Sequence, residues 1–242
     1  MRMMQIRVGA AIISLALAGP MSAQTLFPSQ PARDAEDLSR PSPSSGLSLE
    51  KNGTAFFVDG SGHMLTAGHA AADCARLFIS KEGQVELARL VALAADVDLA
   101  LIKVPKTLGL SAVFPRSGMA TASDMVFAAG YDKLPDMMKQ GLLANATIAP
   151  SGGEAGYLAI DSDVTFGASG APVLDSRGLV QGIVSRRTRE DHVLAVDAAS
   201  AKAFLAASGV AFEQDDRSQI AASGSRANRA ASISARVTCL QN

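Results

Sequence analysis

The chain has 242 residues, of which 48% are hydrophobic and 19% charged, and its formal net charge is −1. This length suits one ordinary domain or two small barrels that share an interface, and the apolar content excludes a largely disordered chain. Because there is no basic excess to hold phosphate, we expect no nucleic-acid partner. Two cysteines exclude a four-cysteine zinc site and leave open one disulfide or two free thiols.

The first 23 residues are typical of a secretory signal peptide. Arg2 and Arg7 form a positive segment, residues 8–18 form an apolar core, and a cleavage site lies before Gln24 or a residue or two away. The apolar run is too short for a mature membrane-spanning helix, so we expect no stable membrane insertion after cleavage. The sequence therefore predicts a secreted or periplasmic protein.

The remaining chain divides by composition. Residues 24–47 carry four prolines and many polar residues, which indicates a leader or linker. Short β-like runs separated by turn residues follow, and the absence of long helical patterns between them favours an all-β architecture. Only residues 197–209 have helical composition, with Gly209 at the C-terminal stop. Residues 213–242 are polar up to a last strand-like run, so we assign them to a tail.

Three segments combine into a candidate catalytic set. Residues 66–69 (TAGH) end a strand, residues 96–104 (DVDLALIKV) place two acids before an apolar strand, and residues 167–175 (GASGAPVLD) place a serine among small residues. A serine hydroxyl becomes a nucleophile when an imidazole accepts its proton, and a carboxylate keeps that imidazole in the right tautomer. Glycine beside the serine lets backbone N–H groups converge on a developing oxyanion.

These segments resemble the chymotrypsin-like (trypsin-like) serine endopeptidases, most closely the bacterial HtrA/DegP-type protease domain. The resemblance covers residues 53–212 and implies two six-stranded antiparallel β-barrels in a protease domain at 48–212, with a short C-terminal helix and a tail at 213–242. Barrel one is expected at about 48–110 and barrel two at about 118–212. The tail is too short for the PDZ domain of HtrA proteins, so we expect none.

The resemblance also assigns roles to individual residues. It implies that His69 is the general base, Asp98 its orienting acid and Ser169 the nucleophile, with Asp96 as the competing acid. The N–H groups of Gly167 and Ser169 are expected to form the oxyanion hole. Proteins or peptides are the expected substrates, and no cofactor is implied.

Other kinds of site fit the sequence less well. Residue 171 is alanine and no helix pattern follows it, which excludes the Gly-x-Ser-x-Gly elbow of an α/β-hydrolase. His63 and His192 lie in turns without zinc-motif spacing, so no metal site is expected. The rival function is a catalytically weak or inactive homologue that binds peptides or proteins.

Two positions depart from the family pattern. Ala168 replaces the aspartate of zymogen-activated trypsins, so we expect no activation by insertion of a new N-terminus, in agreement with the HtrA-like branch. Ala171 replaces the second glycine after the serine, and the sequence leaves open whether its extra methyl crowds the turn and lowers activity.

Specificity and disulfide pairing complete the expectations. By analogy with trypsin-like enzymes, Asp163 at the base of the substrate pocket selects Arg or Lys, whereas Val184 and Leu194 indicate a small or aliphatic pocket. The sequence leaves both open, as it does the oligomeric state. In an oxidising compartment, Cys74 and Cys239 are expected to form a disulfide that joins the tail to the loop after His69.

Overall fold

In the computed structural model, the described residues are 49–150 and 154–242, so the expected signal peptide (1–23) and leader (24–47) lie outside them. The described chain is mostly β-structure. Its strands are β1 (Glu50–Phe57), β2 (His63–Thr66), β3 (Arg76–Lys81), β4 (Gln84–Leu93), β5 (Ala100–Lys103), β6 (Val113–Phe114), β7 (Met125–Val126), β8 (Ala146–Ile148), β9 (Tyr157–Ser162), β10 (Pro172–Leu174), β11 (Val180–Arg189), β12 (His192–Asp197), β13 (Glu213–Gln214) and β14 (Ser234–Leu240). Its helices are α1 (Gly68–Ala71), α2 (Leu134–Gln140), α3 (Ala198–Ala207) and α4 (Arg226–Ile233).

Two six-stranded antiparallel β-barrels form the fold, as the sequence predicts. The first is closed in the order β1-β14-β3-β4-β5-β2. The second has the order β10-β11-β12-β9-β8-β7, and its two outer strands meet through Phe127 and Leu174, whose backbones exchange hydrogen bonds of 2.9 and 2.8 Å. Closure of both sheets satisfies backbone groups that open edges would leave unpaired.

The first barrel contains a strand that the sequence analysis placed outside it. β14 lies between β1 and β3, with Glu50 opposite Leu240 at one end and Phe56 opposite Ser234 at the other. The expected limits of barrel one, about 48–110, are therefore wrong, because residues 234–240 complete it. The reason is that an alternating strand pattern shows that a strand forms but does not show which distant edge it joins.

Alternation along β1 fills two separate cores. Ala55 and Phe57 are buried inside the first barrel, whereas Phe56 points the other way and packs with side chains of the second barrel. Phe127 and Ile183 reach the same shared cluster from the second barrel. The two barrels are thus joined by a continuous apolar interface, which fixes the cleft above it.

The helices are short and lie around the barrels. α3 forms where the sequence predicts a helix: the Asp197 side chain accepts a 2.7 Å hydrogen bond from Ser200 N–H at its start, and Gly209 adopts a φ of 69° after its end. None of the helices in the described part of the chain is long and apolar enough to cross a membrane.

Helix α4 falls in the segment that was predicted to be a polar tail. Ser225 and Asn228 form a capping box at its start, and Ile233 is buried near its end. Its arginines are not solvated: Arg226 Nε donates to Asp175 O at 2.9 Å, and Arg229 Nη2 donates to Ser111 O at 2.8 Å. Composition misled the prediction here, because these charged side chains satisfy buried carbonyl groups rather than facing water.

Candidate active site

His69 lies on α1, the four-residue helix that follows β2. Lys51 Nζ donates hydrogen bonds to the carbonyl oxygens of His69 (3.2 Å) and Ala72 (3.1 Å), which holds the C-terminal end of this helix. A Cβ at Gly68 would lie 2.9 Å from Asp98 Oδ1, so only glycine permits the close approach of these two segments. The sequence thus places the imidazole directly beside the chain that carries the acid.

Asp98, just before β5, receives hydrogen bonds on both of its carboxylate oxygens. Oδ1 accepts from His69 N–H at 2.9 Å, and Oδ2 lies 2.8 Å from His69 Nδ1 and accepts from Ser185 Oγ at 2.6 Å. Burial alone raises the pKa of Asp98, but the hydrogen bonds from His69 and Ser185 lower it more, to about 2. Asp96, the alternative acid, is exposed on the loop. The contacts therefore favour Asp98.

Ser169 completes the series from the second barrel. Its Oγ lies 3.0 Å from His69 Nε2 and 3.4 Å from the carbonyl oxygen of Ser185. Since the ionised Asp98 only accepts, Nδ1 of His69 carries the ring proton and Nε2 is left to accept from Ser169 Oγ. The three residues that the sequence singles out are thus hydrogen-bonded in series across the two barrels.

The serine loop (residues 165–170) turns through two glycines of positive φ, 86° at Gly167 and 85° at Gly170. The N–H groups of Gly167 and Ser169 have no acceptor among the residues that the structure describes. These are the two groups that the sequence analysis assigns to an oxyanion hole, and both are available to a ligand.

A cavity of about 630 Å³ opens beside Ser169 and His69. Four apolar residues of one buried cluster line it: Val164, Ala168, Val184 and Val193. Val184 therefore lies where the sequence predicts. Leu194 does not, because alternation along β12 turns it to the opposite face of the sheet, where it packs against Tyr157, while Val193 faces the cavity.

Asp163 is not part of that cavity. It is exposed, lines a separate cavity of about 270 Å³, and its carbonyl oxygen accepts from Arg187 Nη2 at 3.5 Å. Asp161, a neighbouring carboxylate on β9, lies 2.7 Å from Nδ1 of His192, its cross-strand partner on β12. Asp163 follows the end of β9 and does not line the cavity beside Ser169, so the geometry favours the apolar pocket, while selection of Arg or Lys by Asp163 stays a prediction that peptide cleavage can test.

The fold has room for both alanines, Ala168 and Ala171, that depart from the family pattern. Ala168 and Ala171 are both buried in the cluster that lines the cavity. Ala171 does not have a positive φ, its N–H donates to Ala168 O at 2.8 Å, and its O accepts from Val184 N–H at 2.9 Å. The backbone at 171 therefore does not require glycine, and the extra methyl packs against apolar neighbours instead of crowding the turn.

Two residues make hydrogen bonds with Asp98 that the sequence does not predict. Ser185 Oγ donates to its carboxylate, and Tyr157 Oη accepts from its backbone N–H at 3.0 Å. The pairing of β11 with β12 shifts between Val184 and Arg186, so the irregularity falls at Ser185 and re-aims its side chain. The sequence carries no local signal for such a bulge.

The disulfide is present as the sequence predicts. Cys74 and Cys239 are bonded, with their Cα atoms 5.3 Å apart, and both lie against the core of the first barrel. The bond joins the segment directly after α1 to β14, so the helix that carries His69 is tied covalently to the strand that completes its barrel. As for metals, the described residues hold no group of three or more His, Cys, Asp or Glu side chains that could bind an ion.

Two β-barrels with serine, histidine and aspartate hydrogen-bonded in series across their cleft define the architecture of the trypsin-like peptidases. The family model for the trypsin-like peptidase domain matches residues 53–183, more than half of the chain, and includes all three of these residues. The chain belongs to this family.

Individual proteins are similar to this chain in sequence or in fold. The chain is 30% identical over 233 residues to the uncharacterized protein y4bJ of Sinorhizobium fredii, a match that covers 89% of this chain and 36% of the relative. It therefore spans about a third of the length of that curated relative. Among solved structures, the serine endoprotease from Yersinia pestis matches with a TM-score of 0.55 and 22% identity, over 64% of this chain and 57% of that one. Rv3671c from M. tuberculosis, in an inactive mutant form, matches with a TM-score of 0.53 and 22% identity, over 66% and 85%.

Proposed function

We propose that this protein is an exported serine endopeptidase that cleaves peptide bonds through an acyl-enzyme intermediate. The observation that carries the proposal is the hydrogen-bonded series from Asp98 through His69 to Ser169, with steps of 2.8 and 3.0 Å. The available N–H groups of Gly167 and Ser169 add the second requirement for acyl transfer, which is a site for the oxyanion.

The chemistry follows from the hydrogen-bond directions. Ser169 Oγ attacks the scissile carbonyl carbon while its proton passes to His69 Nε2, and the electron pair of the carbonyl bond moves onto oxygen. When the tetrahedral intermediate collapses, the carbon–nitrogen bond breaks and His69 returns the proton to the leaving amine. Water then attacks the acyl-enzyme by the same route, which releases the acid and restores Ser169. Asp98 stays ionised throughout and stabilises the imidazolium.

Labelling with a fluorophosphonate tests this proposal. Folded wild-type protein should take up one label, and mass spectrometry should map it to Ser169, because Ser169 is the one serine of the described residues whose hydroxyl lies within hydrogen-bond distance of an imidazole. Heat-unfolded protein and the Ser169→Ala variant should remain unlabelled.

Ser176→Ala is the matched control, since Ser176 is exposed and lies outside the cavity beside His69. It should be labelled like the wild type. A wild type that folds but takes up no label would instead favour the rival function, a peptide-binding homologue without catalysis.

The lining of the cavity supports an apolar side chain on the acyl side of the scissile bond. No acidic residue lines it among those that the structure describes, and its two arginines do not offer a counter-charge to a basic substrate. Arg186 is itself paired with Glu154 at 2.9 Å. A substrate Arg or Lys would therefore be desolvated without a partner, which is costly.

Matched peptides that differ only in the residue on the acyl side of the scissile bond measure the preference for an apolar side chain. Peptides with Val or Ala should be cleaved with a kcat/KM at least about 10-fold above those with Arg, because the cost of burying an unpaired charge exceeds the benefit of packing the arginine stem against the apolar lining. Asp163→Asn should leave this ratio unchanged. A preference for Arg that this substitution abolishes would contradict the proposal.

Export is supported by two features of different kind. Residues 1–23 carry the pattern of a cleavable signal peptide, and the Cys74–Cys239 bond suits an oxidising compartment outside the cytosol. The mature protein would begin near Gln24, which N-terminal sequencing of the exported form can test.

A further inference from the structure

Thr54 on β1 makes an unusual set of contacts with the second barrel. The residue is fully buried, and its N–H donates to Ser169 O at 2.8 Å. Its Oγ1 donates to Gly167 O at 2.8 Å and accepts from Tyr131 N–H at 2.9 Å. One residue of the first barrel therefore holds both carbonyl groups that flank Ala168 in the serine loop.

The contact with Gly167 matters because that residue has little conformational preference of its own. Gly167 has a φ of 86°, and an added Cβ there would meet nothing within 4 Å, so no close contact at its Cα restricts the backbone. Glycine populates positive and negative φ about equally. The hydrogen bond from Thr54 Oγ1 to its carbonyl, together with the turn hydrogen bond from Ala168 N–H to Thr165 O at 3.2 Å, holds this peptide in one orientation.

A second segment, Gly130 and Tyr131, also contacts the serine loop and Thr54. A Cβ at Gly130 would lie 2.9 Å from both the carbonyl carbon and the oxygen of Gly167, so the chain there packs directly against the serine loop. The N–H of Tyr131, the residue that follows Gly130, donates a hydrogen bond to Thr54 Oγ1. Since Thr54 is fully buried, water cannot replace its hydroxyl, and its removal leaves a donor and an acceptor unsatisfied.

We propose that Thr54 is a positioning residue: its hydroxyl holds Gly167 so that the N–H groups of Gly167 and Ser169 point together at the oxyanion. This inference rests on the proposed function. It assigns a part of transition-state stabilisation to a side chain that touches neither the substrate nor the His69 imidazole.

Kinetics of three variants test the assignment. Thr54→Val keeps the shape and removes the hydroxyl, so kcat should fall about 10- to 100-fold with KM within about threefold of the wild type. Thr54→Ser keeps the hydroxyl and should retain kcat within about threefold. Thr238→Val is the matched control, because it removes a threonine hydroxyl bonded to Asn52 Oδ1 at 3.0 Å on the neighbouring strand, and it should behave like the wild type.

A pair of inhibitors separates positioning from general damage. A peptide aldehyde forms a tetrahedral adduct whose oxyanion uses the two N–H groups, whereas the same peptide ending in a methyl amide binds without one. Thr54→Val should weaken the aldehyde about 10-fold or more and the amide by less than about threefold. If Thr54→Val does not fold, Thr54→Ala serves in the same comparison.

Each other outcome has a defined meaning. Equal weakening of both inhibitors, a rise in KM alone, or an unchanged kcat in Thr54→Val would overturn the positioning role. Labelling of wild-type Ser169 is measured in the same preparations: if it is absent, the proposed function fails and the inference fails with it. If it is present, a negative result concerns Thr54 alone.

Discussion

Replacing Asp98 with asparagine is expected to lower kcat by about 10⁴-fold, the loss typical of this substitution in a serine–histidine–aspartate series. The reason lies in the proton on His69. An asparagine amide can donate to Nδ1 where the carboxylate only accepts, so the ring proton moves to Nε2 and the imidazole can no longer take the proton of Ser169. The 2.6 Å hydrogen bond from Ser185 loses its ionised acceptor at the same time.

Asp96→Asn is the matched control for that variant. Asp96 lies two residues away, carries the same charge and is exposed, so its substitution should leave kcat within about twofold of the wild type. Steady-state kinetics on one apolar peptide, with thermal unfolding to verify the fold, measure both variants. A large loss in Asp96→Asn with little effect in Asp98→Asn would reverse the assignment of the acid.

The Asp98→Asn variant also shows how the stability of the fold depends on pH. The pKa of Asp98 falls from 3.8 to about 2 on folding, so ionised Asp98 stabilises the fold above about pH 4, and this contribution is lost as the pH falls through 2. The shift corresponds to about 2 kcal/mol. Urea unfolding should therefore show a larger penalty for Asp98→Asn at about pH 6 than at about pH 2.5, and equal penalties would contradict this explanation.

Gly170→Ala is expected to destabilise the fold by about 4 kcal/mol or more, among the largest effects of a single substitution. The added Cβ would lie 2.1 Å from Thr54 O, 2.3 Å from Thr66 Oγ1 and 2.8 Å from Ala67 N, and the φ of 85° is itself unfavourable for alanine. Two of these neighbours are backbone atoms of the first barrel. The methyl fits only if the serine loop withdraws from that barrel, which would also separate Ser169 from His69.

Gly209→Ala separates the two sources of strain. Gly209 has a φ of 69°, but a Cβ there would meet nothing within 4 Å, so only the backbone cost of about 1 kcal/mol remains. Chemical denaturation of both variants measures the difference. Similar destabilisation in Gly170→Ala and Gly209→Ala would show that the serine loop can move away from the first barrel at little cost in free energy.

The sequence predicts much of this site because the residues proposed to carry out the chemistry lie in short, local sequence motifs. His69, Asp98 and Ser169 each lie in a local motif, and alternation with turn residues indicates the strands around them. Ser185 and Thr54 carry no comparable signal. Each acts through a partner far away in the chain, 87 residues for Ser185 with Asp98 and 113 for Thr54 with Gly167, and strand pairing brings them together.

Where prediction fails, side-chain direction or distant pairing decides the outcome. Leu194 occurs at the expected place in the chain but lies on the face of β12 opposite the cavity, since one residue along a strand reverses the face. Helix α4 is hidden by its arginines, which bind carbonyl groups that only the folded neighbours supply. β14 is recognised as a strand, but its place between β1 and β3 depends on edges far earlier in the chain.

The position of β14 has a consequence for the order of events during synthesis. A nascent chain contains His69, Asp98 and Ser169 before it contains residues 234–240, the strand with which both β1 and β3 pair in the folded protein. Pairings between residues so far apart form late and slowly. We therefore expect the hydrogen-bonded series of Asp98, His69 and Ser169 to assemble only after the last strand docks, so that the proposed peptidase activity follows the pairing of residues 234–240 with β1 and β3.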